Sequence, residues 1–380
     1  VEQEVNLDNP LHLPEGVACG VACSRECRGS DREFCPVCPT GEGSPVGRVP
    51  DPFLLRRTPS GGYAGLSFAC RLVREGTGAP VESCRALLES RLAGETSDRI
   101  PGVFEIAAPV RFDDQTEIEW DLYRRIESVL DRILACEDRD LETCLIAGHV
   151  WLGMLRQMLT VFRVKAAAGV TGEGGTPLPE AWQVIERYLE QAPTEGLDRA
   201  FRIADRPAAN PTTKRMVLGT VISFRQALKP GLWRLTAMAR VGMANLRHWA
   251  RLGTLRFPPL DSAIPYAQFK PQPDELGDPD TSRLLRRYFR HALFRKDLVV
   301  HSDVFGGYGY LILVYGLIQW YAAALRLSGQ ADPGRALACV ESHYVLHPAF
   351  GSAFWYHPAL ADILQFAAGK PTFAHTIVRG

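Results

Sequence analysis

Five cysteines fall within twenty positions near the front of this 380-residue chain: Cys19, Cys23, Cys27, Cys35 and Cys38. The other five are spread over the remaining length, so this grouping is not how core cysteines are distributed. Around it, residues 1–65 are rich in proline and glycine and poor in periodic apolar positions, with turns such as Ser60-Gly61-Gly62. A segment of that composition has too little apolar area to fold alone. A bound inorganic centre supplies the cross-links such a segment lacks.

Three readings of the thiols are open. A structural zinc site uses four sulfurs, and Cys35-Pro36-Val37-Cys38 has zinc-ribbon spacing. An iron–sulfur cluster takes Cys19, Cys23 and Cys27 with a fourth thiol, or leaves one iron open. Disulfides give the same pattern in an oxidising compartment. Either metal reading requires the sulfurs to lose their protons, which the positive centre favours. Cys70 and Cys84, in a helix-like stretch from Phe68 to Leu92, are near enough in sequence to be late ligands. Cys136, Cys144 and Cys339 sit in helical runs and read as small buried hydrophobes.

Lysine plus arginine and aspartate plus glutamate both number 43, so the formal charge is zero. That gives no global electrostatic case for nucleic acid or an anionic membrane as partner. The acidic, polar opening shows no signal-peptide pattern, and the cysteine density is below that of a secreted disulfide scaffold; a reducing cytoplasm is expected. Val304 to Leu325 is uncharged and long enough to span a bilayer. It carries Gln319 and four glycines, and its flanks lack the basic asymmetry that orients a span, so a buried core helix is expected.

Apolar periodicity predicts helices at 118–134, 140–168, 179–192, 214–227, 232–251, 281–296, 305–327, 333–346 and 357–368. Residues 103–112 alternate weakly and suggest a short strand that Pro109 confines to an edge. The glycine-rich piece 169–177 follows a helix rather than a strand and reads as a loop, and 258–273 as a proline-rich break. The expected fold is mainly α, with an irregular cysteine-rich, metal-organised N-terminal region (1–100) packed on a helical bundle (101–380).

Two clusters on the helices carry candidate chemistry. Arg283, Arg287 and Arg290 recur at i, i+4 and i+7, giving a solvated basic face or an anion site. His343 and His347 are spaced i, i+4, with Glu341 and His357 near, but Pro348 ends the helix, so hydrogen-bonded or general-base histidines are expected ahead of ligands.

Four stretches together resemble the flagellin lysine N-methylase family, a branch of the bacterial cysteine-cluster proteins. They are Arg287-Tyr288-Phe289-Arg290-His291-Ala292-Leu293-Phe294, Gly307-Tyr308-Gly309-Tyr310-Leu311 running to Gln319-Trp320, Val340-Glu341-Ser342-His343, and Ile118-Glu119-Trp120-Asp121-Leu122-Tyr123-Arg124 to Leu134. That family closes its first cysteine group with adjacent cysteines, whereas here Arg28 follows Cys27. Its later Cys-Pro motif is similar to Cys35-Pro36, and its downstream cysteine to Cys70 or Cys84.

The resemblance implies a [4Fe-4S] cluster and S-adenosylmethionine-dependent N-methylation of a protein, peptide or small-molecule substrate. Cys19-x3-Cys23-x3-Cys27 is one residue longer than the radical S-adenosylmethionine motif, and no strand–helix repeat of a barrel is present, so a standard radical enzyme is not expected; polar methyl transfer is the other route left open. Tyr308 and Tyr310 then offer aromatic faces to a sulfonium, Arg287 and Arg290 an anion contact, and Glu341 or His343 a proton acceptor. Two alternatives stand beside this: a cluster whose open iron activates sulfide or substrate directly, and a zinc-knotted helical binding protein without catalysis.

Overall fold

In a computed structural model, the structure describes residues 55–57, 63–65 and, with short breaks, 104–167, 188–189, 195–227, 242–257, 260–344 and 370–379. Helix accounts for 71% of the interpretable region, which makes the chain mainly α. The thiol stretch, the helix expected at 357–368, and most of those expected at 179–192 and 232–251 lie outside the described residues.

The first described elements are short strands. Strand β1 (Leu55–Arg57) pairs antiparallel with β2 (Tyr63–Gly65) and parallel with β3 (Phe104–Glu105). This sheet joins chain on the two sides of residue 100. The single strand expected at 103–112 is instead two, because Pro109 offers no N–H to a ladder. Strand β4 (Val110–Arg111) turns back to pair with β5 (Glu117–Ile118), which delays the first helix.

Helix α1 (Trp120–Ala135) buries Leu122, Tyr123, Ile126, Val129, Leu130, Ile133 and Leu134, the apolar stripe that its 3–4 spacing dictates. It packs on α2 (Leu141–Ala167), along which α3 (Glu195–Ala204) also lies. Next come α4 (Pro211–Ala227) and a hairpin of β6 (Thr254–Phe257) with β7 (Ser262–Pro265). The chain continues as α5 (Pro279–Phe294), α6 (Asp297–His301), α7 (Val304–Leu327), α8 (Pro333–Val340) and α9 (Phe373–Arg379).

Five of the helix starts, those of α2, α4, α5, α7 and α8, share one chemistry. An Asx side chain accepts from backbone N–H groups of the first turn, satisfying donors that have no partner within the helix. Asp140 accepts from Thr143 N at 2.6 Å, Asn210 from Thr212 N and Thr213 N at 3.1 Å, and Asp278 from Thr281 N at 2.9 Å. Asp303 accepts from Gly306 N at 2.7 Å and Asp332 from Arg335 N at 3.0 Å. Three of these caps precede proline (Asn210-Pro211, Asp278-Pro279, Asp332-Pro333), whose missing N–H costs nothing at the first helical position.

Helix α7 is the axis of the bundle. From Val304 to Leu325 every residue except Gly306 is buried, enclosed by α2, α6, α8 and α9 with α4 alongside. At Gly307 a Cβ would lie 2.3 Å from the Leu298 carbonyl oxygen, so only glycine lets α6 approach this closely. Trp320 meets Phe269 edge-on at 5.1 Å between centroids, and Tyr321 meets Phe257 at 5.2 Å, clamping the hairpin to α7. Arg156 on α2 bonds Asp113 Oδ2 at 3.0 Å and lies over the Phe305 ring at 4.9 Å, and Phe305 N donates to Phe112 O at 3.0 Å. These contacts hold the β4–β5 hairpin at the front of α7.

Candidate functional site

Cys19, Cys23, Cys27, Cys35, Cys38, Cys70, Cys84 and His343 lie outside the described residues. The other expected site residues are placed, and they do not share one surface. Tyr308 is fully buried and faces α2: a Cβ on Gly148 would fall 2.0 Å from its hydroxyl. Its Oη has no hydrogen-bond partner among the described residues, and burial pushes the phenol up. Tyr310, two positions on, points about 200° away around the helix. Its hydroxyl donates to Tyr344 O at 3.5 Å, and Tyr344 Oη lies 3.1 Å from Tyr321 Oη. Glu341, 3% exposed, closes α8, three positions before Tyr344 in sequence.

The basic helix α5 is used differently from the i, i+4, i+7 reading. Arg286 and Arg290 share the face packed on α1. Arg286 donates to the carbonyls of Leu134 at 2.6 Å, Cys136 at 2.8 Å and Arg139 at 2.7 Å, satisfying acceptors left open at the end of α1. Arg290 forms a two-pronged pair with Asp131, at 2.8 and 3.1 Å. Arg283 pairs with Asp280 at the exposed start of the helix. Arg287 is half-buried between them.

A buried polar cluster that the sequence did not reveal crosses four helices. Lys214 on α4, 9% exposed, donates from Nζ to Gln319 Oε1 at 2.9 Å and to Val378 O at 3.0 Å. Gln319 in turn donates from Nε2 to Glu142 Oε1 at 3.0 Å, and the Tyr315 hydroxyl donates to the same oxygen at 2.9 Å. Arg379 on α9 lies 3.8 Å from Glu142 Oε2, bonds Thr143 Oγ1, and donates to Ala204 O at 2.7 Å. Burial pulls the Lys214 ammonium down to about 8, opposed by the Glu142 charge. Burial pushes Glu142 up, against the Tyr315 hydrogen bond and the Lys214 and Arg379 charges. Each of these hydrogen bonds runs between elements, so the cluster fastens α9 to α2, α4 and α7. One signal was available: Lys214 is one of only six lysines in a chain whose cations are mostly arginine.

Among the described residues no group of three or more His, Cys, Asp and Glu side chains is gathered as a metal site. Cys136, Cys144 and Cys339 form no disulfide among the described residues. Burial first, then the Asp138 hydrogen bond, pushes Cys136 up to about 11, and burial does the same for Cys339. Such thiols stay protonated and are poor ligands. No family model, no curated protein and no solved structure matches this chain.

Proposed function

We propose that the chain is a cytoplasmic iron–sulfur enzyme, similar to flagellin lysine N-methylases, that uses S-adenosylmethionine to N-methylate a protein, peptide or small-molecule substrate. The observation that carries the reading is the grouping of Cys19, Cys23, Cys27, Cys35 and Cys38 in a segment with little core of its own. In this reading a [4Fe-4S] cluster held by those thiols, with Cys70 or Cys84 as a later ligand, organises residues 1–100 against the helical bundle. Bound S-adenosylmethionine supplies an electrophilic methyl group. Tyr310 on α7 would offer its ring to the sulfonium, and Glu341 at the end of α8 would accept the proton that the methylated amine gives up. Burial of both supports a site from which water is excluded.

Anaerobic purification followed by metal and sulfide analysis tests the proposal. Iron with acid-labile sulfide and broad visible absorption is the expected result, and calorimetric titration with S-adenosylmethionine then gives heat. Colourless protein with stoichiometric zinc overturns the cluster in favour of the zinc-knotted scaffold, which the spacing of Cys35 and Cys38 favours. Brown protein that gives no heat overturns the methyl donor and leaves the open iron to act on sulfide or substrate directly.

A further inference from the structure

The formal charge of zero conceals a strong segregation. Between Asp205 and Asp261 the chain carries ten lysine or arginine residues and no aspartate or glutamate, so the remainder must be net −10. Lys214 is consumed in the buried cluster. Arg247, Arg251 and Arg256 are exposed, and no ion pair is recorded for any of them among the described residues. Arg215 lies near enough to Arg251 for their repulsion to add to burial in drawing its guanidinium down.

The same segment carries an apolar surface. Met243, Leu246, Trp249 and Leu252 are 53%, 56%, 59% and 61% exposed, four of the six large apolar side chains left in solvent among the described residues. Their outward direction is fixed by the residue between them. His248 is buried, hydrogen-bonded to Tyr266 beside the β6–β7 hairpin, and its ring fills the space over Gly219 on α4. With His248 anchored inward, Leu246, Arg247 and Trp249 must face out. Arg251, at φ 55°, turns the chain toward β6 and leaves Leu252 exposed as well.

We propose that Met243, Leu246, Trp249 and Leu252, with Arg247 and Arg251, form a docking face for an anionic phospholipid surface. The apolar ends seat at the headgroup–acyl boundary and the guanidinium groups bind lipid phosphates. Charge complementarity selects an anionic partner. Leucine and methionine ends offer bases neither a stacking face nor a hydrogen bond, which disfavours nucleic acid. Three exposed guanidinium groups beside the apolar patch, Arg247, Arg251 and Arg256, match a surface of many like charges better than the few carboxylates of a peptide. The attachment is peripheral and independent of the methylation reading.

Co-sedimentation of the full chain with vesicles tests the proposal. Phosphatidylcholine vesicles containing phosphatidylglycerol should bind it, with affinity falling as salt rises, and pure phosphatidylcholine should not. Arg247→Gln with Arg251→Gln should lower partitioning about thirtyfold, at roughly fivefold per cation. Leu246→Ser with Trp249→Ser should abolish binding at unchanged circular dichroism. Should the serine pair unfold, Trp249→Phe keeps the apolar contact. Brominated lipid should quench fluorescence of the unmodified protein and do so markedly less in that variant. Equal binding to both vesicle types, binding unchanged by the arginine pair, quenching unchanged by Trp249→Phe, or binding only to RNA or polyglutamate in place of vesicles overturns it.

Discussion

Replacing Lys214 by methionine isolates the energetics of the buried polar cluster. The ammonium is held at about 8 in the folded protein against an ordinary 10.5. Between those pH values the unfolded chain binds a proton that the folded chain does not, so this group makes stability rise with pH. The penalty for burying the charge is complete below pH 8 and relieved by pH 10.5. Two and a half pH units at 1.36 kcal/mol each amount to about 3 kcal/mol, of which roughly 1 kcal/mol returns between pH 7 and pH 9. Lys214→Met removes that proton equilibrium while keeping a chain of similar length. It also strands Gln319 Oε1, Val378 O and the Glu142 charge, so the sign of its effect at one pH decides nothing. The informative quantity is the difference between the two proteins' unfolding free energies, from urea titration followed by circular dichroism, as pH rises from 7 to 10.5. The upshifted Cys339 titrates in the opposite sense, lies outside the cluster and cancels in that difference. The wild type should gain about 3 kcal/mol on the variant. Parallel pH profiles would refute the reasoning.

Three further outcomes are expected. Gly307→Ala should lower stability by about 2 kcal/mol or more, since its Cβ meets the Leu298 backbone at 2.3 Å and cannot be relieved by a rotamer change; denaturant midpoints measure it. Arg286→Ala, which strips donors from three carbonyls at the end of α1, should cost about 2–3 kcal/mol, whereas Arg290→Ala, in a surface pair with Asp131, should cost no more than about 1 kcal/mol. Equal costs in thermal melts would remove the distinction between them. Cys23→Ala should abolish iron binding and expose residues 1–100 to protease, whereas Cys339→Ala should cost only a packing defect of about 1–2 kcal/mol; the reverse pattern would reassign the ligands.

The long helices were legible because a 3.6-residue apolar period survives whatever surrounds it. The expectation of 118–134 became Trp120–Ala135, 140–168 became Leu141–Ala167, 281–296 became Pro279–Phe294, and 305–327 became Val304–Leu327. Two starts, at Pro211 and Pro279, were placed late because periodicity was read without the Asx-Pro cap and first-turn signal that precedes it. The β6–β7 hairpin was taken for a proline-rich break. Its strands are four residues each, too short for alternation to stand out. Helix α9 has seven residues and little independent stability. It is held by Lys214, Arg379 and the groups they meet on other helices, which no local window contains.

The polar residues show the same limit from the other side. Gln319 was noticed as a single amide in an apolar run, yet its meaning lies in bridging Lys214 and Glu142, 105 and 177 residues away. Tyr308 and Tyr310 were adjacent in sequence and so grouped into one pocket, but a helix sends positions two apart to opposite sides. Net charge misleads for a related reason: it averages over separations far beyond the screening length of about 8 Å within which a surface is felt. The segment between Asp205 and Asp261 contributes Lys214 to the interior, where Glu142 balances it, and Arg247 and Arg251 to the exterior, where neither has an ion pair among the described residues. A chain that was neutral everywhere would need no such division. Buried Lys214 is matched by Gln319, Val378 and Glu142 on three other helices, while the exposed cations beside Trp249 have no ion pair among the described residues.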